Sequence, residues 1–118
     1  MNVPDGNTIS AAEHTMAMML SLSRNIQLGH MGLIKGDWDR HKLVGNELRG
    51  KTLGVVGLGK IGREVMKRAL SYDMKILGHD PFVNQEMFDP EKVKIVDIDE
   101  LTSNSDFITL HVPLIDST

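Results

Sequence analysis

The sequence predicts an α/β chain: a doubly wound parallel sheet, incomplete, preceded by one long helix. Three observations predict it. Short apolar runs of strand length alternate with amphipathic helical segments, a pattern that calls for parallel strands and right-handed crossovers. The first such run, Thr52 to Val56, leads straight into glycines at Gly57, Gly59 and Gly62. The second, Met74 to Gly78, stops at His79-Asp80-Pro81, which puts an acid at the end of a strand.

Strand, glycine turn, helix, strand, acid is the order of a dinucleotide-binding βαβ unit of the Rossmann type. Gly57 allows a tight turn out of the strand. Gly59 lacks a Cβ, so the backbone can approach a pyrophosphate. Gly62 lets the helix pack close on the sheet. The amides of Lys60 and Ile61 open the helix and point at the phosphates, where the helix dipole favours negative charge. Asp80 ends the second strand, where its carboxylate can accept from both ribose hydroxyls of the adenosine half. A glycine loop of the methyltransferase kind is the nearest competitor. Such loops usually carry an acid just before the first glycine, and here Val55 and Val56 stand there.

Taken in order, residues 1–9 are rich in turn chemistry: Pro4, Asp5-Gly6 and Asn7-Thr8. Ser10 to Glu13 matches a capping box, and the helix it opens is expected to run to about Ile34. Ala12, Met16, Met19, Ser23 and Ile26 share one face of that helix, and Met18 and Leu22 form a second apolar side. A helix apolar on two sides packs between two bodies. Its methionines serve either as core filling or as part of a contact with another subunit. Asp37 to Lys42 is charged and reads as a surface connection, with Trp38 either tucked back on the domain or anchoring an interface.

The helix after the glycines is expected over Lys60 to Ser71. Ile61, Val65 and Ala69 face the sheet with Met66 and Leu70 beside them; Arg63, Glu64, Lys67 and Arg68 face solvent. Phe82 to Glu91 has no period and reads as loop. Val93 to Val96 is a third strand, Asp97 caps one or two helical turns, and Asp106 to Val112 is a fourth strand stopped by Pro113. The expected strand order is third, second, first, fourth.

The 118 residues are enough for one small domain, with 41% hydrophobic and 25% charged residues. A net charge of −3 argues against a nucleic-acid partner. Absence of cysteine fits a reducing compartment such as the cytoplasm. The apolar stretch Ala11 to Leu22 holds Glu13 and His14 and is too short and polar to span a membrane. His14, His30, His41, His79 and His111 have no metal-ligand spacing, so no metal site is expected. His111 lies at the carboxyl end of a strand, where ligands sit in such sheets, and is a candidate cofactor contact.

Asn7 to Thr15, Gly36-Asp37-Trp38, Glu47 to Gly62, His79-Asp80-Pro81 and His111 to Leu114 together resemble the D-2-hydroxyacid dehydrogenases. The resemblance covers nearly the whole chain. It implies NAD as cofactor and a D-2-hydroxyacid as substrate. It puts the pyrophosphate at Lys60 and Ile61, the ribose on Asp80, and the adenine near His111, Val112 and Pro113. It also implies a homodimer in which the first long helix takes part. The family's substrate domain starts before Met1 and its catalytic arginine, glutamate and histidine lie beyond Thr118. Residues 1–118 are therefore expected to be a fragment of the NAD-binding domain with no catalytic residue of its own. Related folds also serve as NAD-sensing corepressors, so a non-enzymatic binding module is the competing expectation.

Overall fold

The structure, a computed structural model, describes residues 6–25, 30–32, 34, 36 and 45–112. In chain order its elements are α1 (Thr8–Arg24), β1 (Thr52–Val56), α2 (Lys60–Ser71), β2 (Lys75–His79), a single 3-10 turn (Gln85–Met87), β3 (Val93–Ile95), α3 (Ile98–Asn104) and β4 (Phe107–Leu110). The four strands form one parallel sheet in the order β3-β2-β1-β4, as the doubly wound pattern requires.

Helix α1 starts three residues earlier than the capping-box reading places it, with its cap at Asn7 rather than Ser10. Asn7 is the N-cap, without a side-chain bond, and the Ala11 amide donates to its carbonyl at 2.9 Å. The early start brings Thr8 onto the stripe Thr8, Ala12, Met16, Met19 and Ser23, all buried. Extending that buried face outweighs the local cap that Ser10 offers. The helix also ends sooner than expected. Asn25 adopts a left-handed conformation with φ 57°, and its amide donates back to Ser21. Asparagine tolerates that conformation and so ends helices. Residues 30–32 and 34 are helical again. Met18 and Leu22, on the second apolar side, are 53% and 72% exposed.

Helix α2 packs on one face of the sheet, and α1 lies beside α2. Ala12, Met16 and Met19 join Val65, Met66, Ala69, Leu53, Val55 and Ile76 in one buried cluster. Helix α3 covers the other face through the buried Leu101, which lies over Gly54. Its cap is the expected one: Asp97 Oδ1 accepts from the Glu100 amide at 2.8 Å. The helix runs on past Leu101 to Asn104.

The bounds of β1 are those read from the sequence, while those of β2, β3 and β4 shift by one or two residues, and pairing continues beyond them. Asp106 Oδ2 accepts from the Thr52 amide, the Asp106 amide donates to Thr52, and the His111 amide donates to Val56 at 2.7 Å. The loop 82–91 holds more structure than its composition suggests. The Gln85 side chain donates to Val93 at 2.9 Å and accepts from the Ile95 amide at 2.8 Å, pairing with the free edge of β3 as a strand would. Among the described residues no helix is long and apolar enough to cross a membrane. Asp37 to Lys42, including Trp38, lies outside the described residues, as do Ile26 and Pro113.

Candidate nucleotide site

All four parallel strands present their carboxyl ends on one edge, and the described residues of the predicted site gather there. β1 ends at Val56, and the turn opens on Gly57, whose φ of 96° suits only glycine. A Cβ at Gly57 would also run into the His111 carbonyl oxygen. The Gly57 amide donates to the His79 carbonyl at 2.8 Å, so the turn is tied to β2 on one side and crowded by the end of β4 on the other.

Gly59 and Gly62 answer to different neighbours. A Cβ added at Gly62 would meet the Gly57 carbonyl oxygen. This glycine therefore lets α2 close on the turn itself, with Val55 next beneath. At Gly59 an added Cβ would meet nothing within 4 Å. The protein does not need a glycine there for its own packing; the open space lies outward, over the start of α2. That helix begins at Lys60 and Ile61 with no side-chain cap and no acid in its first turn. An anionic group placed over Gly59 would supply what the helix start lacks. Beside it, Thr8 and Ile9 of α1 and Lys60, Arg63 and Glu64 of α2 line an open notch of about 310 Å³.

Asp80 stands at the end of β2, but its carboxylate is already engaged. Oδ2 accepts from the Leu58 amide at 2.8 Å and Oδ1 accepts from the Phe82 amide at 2.9 Å. The acid thus holds the glycine loop in shape. Two ionised carboxylate oxygens offer about four acceptor sites, so room remains for ribose hydroxyls. Leu58 is 1% exposed, which fixes the loop residue that Asp80 grips.

His111 and Val112 follow β4 on the same edge. The His111 ring Nε2 lies 2.7 Å from Thr109 Oγ1, and burial pushes its pKa below the ordinary value of 6.5. The ring is therefore neutral at pH 7, fit to face an uncharged base. Val112 is 40% exposed. His79 serves the fold: its Nδ1 lies 2.9 Å from the Val96 carbonyl, which can only accept, so the nitrogen donates. His14 and His30 are exposed, and His41 lies outside the described residues. No cluster of three or more His, Cys, Asp or Glu among the described residues could hold a metal ion.

Sequence reasoning assigned Arg63 to the solvent side. It is exposed, yet its Nε donates to the Leu58 carbonyl at 2.8 Å and its guanidinium sits 5.8 Å from the centre of the Phe88 ring. Nothing in the helical period signals this, because the contact depends on the loop after β2. The residues present fit a dinucleotide: open backbone at Gly59, an uncapped helix start, an acid at the end of β2, and a neutral His111 beside the turn.

Residues 16–118 match the family model described as D-isomer specific 2-hydroxyacid dehydrogenase, NAD binding domain. The chain is 50% identical over 119 residues to D-3-phosphoglycerate dehydrogenase of Methanocaldococcus jannaschii, covering 100% of this chain and 23% of that protein. The backbone is similar to the apo-structure of D-lactate dehydrogenase from Escherichia coli, with TM-score 0.87 and 33% identity over 98% of this chain and 36% of that one. It is also similar to NAD-dependent formate dehydrogenase from Staphylococcus aureus in complex with NAD, with TM-score 0.86 and 37% identity over 94% of this chain and 33% of that one. The chain thus spans under a quarter of the length of the curated relative and about a third of the solved ones. By this match, and by the site that its glycine loop and Asp80 build, the chain belongs to the D-isomer specific 2-hydroxyacid dehydrogenases, within their NAD-binding domain.

Proposed function

We propose that this chain is the cofactor-holding part of a cytoplasmic D-3-phosphoglycerate dehydrogenase that oxidises its hydroxyacid with NAD. The observation that carries the reading is the pair formed by Asp80 and the glycine loop: an acid bonded to the Leu58 amide, next to backbone left open at Gly59. The likeness to the Methanocaldococcus jannaschii enzyme over the whole chain supports the choice of substrate. In this reading the amides of Lys60 and Ile61 hold the pyrophosphate, with Gly57, Gly59 and Gly62 shaping the cradle. Asp80 accepts from the adenosine ribose. His111, Val112 and Pro113 border the adenine. NAD, when bound, supplies the hydride acceptor. No residue of this chain is assigned an acid–base role; those groups belong to the rest of the enzyme. The protein pairs as a homodimer through α1, whose Met18 and Leu22 are open.

The preference for NAD over NADP follows from charge. A 2′-phosphate would meet the Asp80 carboxylate, and Pro81 to Asn84 contains no cation to offset it. The test is calorimetry on the full-length enzyme. Asp80→Ala is expected to weaken NAD by about 1.5–3 kcal/mol, the scale of hydrogen bonds to a charged group. Equal affinity of the parent for NAD and NADP would overturn the assignment.

A further inference from the structure

Asp80 and Arg63 grip the two ends of one residue. Asp80 Oδ2 accepts from the Leu58 amide, and Arg63 Nε donates to the Leu58 carbonyl, each at 2.8 Å. Leu58 is 1% exposed, its side chain anchored beneath Gly78 and close to β3, so it cannot turn away from either partner. An acid and a cation are thereby pinned to the two ends of one buried loop residue, the acid being the one assigned above to the adenosine ribose. Arg63 uses only its Nε there, which leaves the N–H donors of its two terminal nitrogens unspent. No carboxylate pairs with it among the described residues; the neighbouring Glu64 is engaged with Arg68 at 2.6 Å instead. The Phe88 ring below steers the guanidinium along the loop after β2.

We infer that Arg63 is a second specificity-determining residue at the adenosine 2′ position, a built-in receptor for a 2′-phosphate that the Asp80 carboxylate holds in check. With Asp80 ionised, a 2′-phosphate dianion meets a like charge first, and the site takes the bare ribose. With that charge removed, the forked guanidinium binds the phosphate by charge-assisted hydrogen bonds. Cofactor choice in this chain therefore rests on one carboxylate standing before an arginine, as well as on the absence of a cation in Pro81 to Asn84. The inference rests on the reading of Asp80 as the ribose acceptor.

The test titrates NAD and NADP by calorimetry into the full-length protein and three variants: Asp80→Asn, Arg63→Ala, and the two combined. Asparagine keeps an oxygen that can accept from the Leu58 amide, and Asp80→Ser serves as a second neutral variant if Asp80→Asn melts early. Asp80→Asn is expected to weaken NAD and to tighten NADP by about tenfold or more, with the gain shrinking as salt is raised. Adding Arg63→Ala is expected to remove that gain while leaving NAD within about twofold of Asp80→Asn alone. A double variant that binds NADP as tightly as Asp80→Asn would overturn the inference, as would a neutral variant that loses NAD and gains no NADP. If neutralising Asp80 changes neither affinity, the ribose assignment of Asp80 fails, and the inference with it.

Discussion

Gly59 and Gly62 are three positions apart and predict opposite outcomes on substitution. Space is open around Gly59, and its φ of −75° suits any residue. Gly59→Val is therefore expected to leave the melting temperature nearly unchanged and to abolish NAD binding, because the new side chain fills the phosphate's place. Gly62→Ala drives a methyl into the Gly57 carbonyl oxygen, and overpacking of that kind costs about 1–3 kcal/mol or more. A thermal melt paired with an NAD titration separates the two; normal binding by Gly59→Val would refute the cradle. His111 adds a pH effect. Burial lowers its folded pKa below 6.5, so the unfolded chain binds the proton more readily. Its stability contribution is whole above pH 6.5 and is lost as pH falls through the lowered value. His111→Asn is expected to flatten that limb of the melting curve against pH, and an unchanged difference between wild type and variant across the range would contradict it.

At the level of elements, α1 carries the prediction about association. Met18 and Leu22 are one turn apart, off the buried stripe of α1, and both are exposed. Burying an aliphatic side chain contributes about 1.5–3 kcal/mol. Met18→Glu with Leu22→Glu is thus expected to weaken the proposed dimer roughly a hundredfold or more while the fold persists, as sedimentation and a melt would report. A dimer of unchanged strength would move the interface elsewhere. The buried stripe of this helix was legible in the sequence because its period is local and strong. Its ends were not. The Ser10 cap is a local preference that the burial of Thr8 overrides, and the stop at Asn25 is a single-residue conformation without a proline or glycine to announce it. The βαβ core was readable almost to the residue, since strand, turn and helix signals agree there. What sequence could not supply were bonds between distant segments: Gln85 closing the edge of β3, Asp80 holding Leu58, and Arg63 turning back on the loop. The residues that meet at the carboxyl edge of the sheet were named from sequence by type, and their mutual grip became visible only in three dimensions.

Across the whole molecule, β4 is the outermost strand next to β1, and its outer edge pairs with no described residue. Ile108 and Leu110, 46% and 68% exposed, point to the side that α3 covers chiefly over β1 and β2. An apolar edge of this kind offers free amides and carbonyls to another chain. The 118 residues expressed alone are expected to associate beyond a dimer and to show no dehydrogenase activity. Leu110→Lys should reduce the association severalfold, since charge on an edge strand opposes pairing. A monomer in sedimentation whose β4 amides resist hydrogen exchange would disprove the edge argument. The pairing of β1 with β4 also sets an order of events in time. Thr52 and Asp106, at the foot of that pair, bond across a separation of 54 residues. A ribosome releases β1 long before its second neighbour exists. Until Phe107 to Leu110 emerge, the central strand of the sheet has a bare flank, and the turn at Gly57 lacks the His111 carbonyl that presses against it. The central strand is therefore completed only by a non-local pairing, the kind of contact that forms late and slows folding.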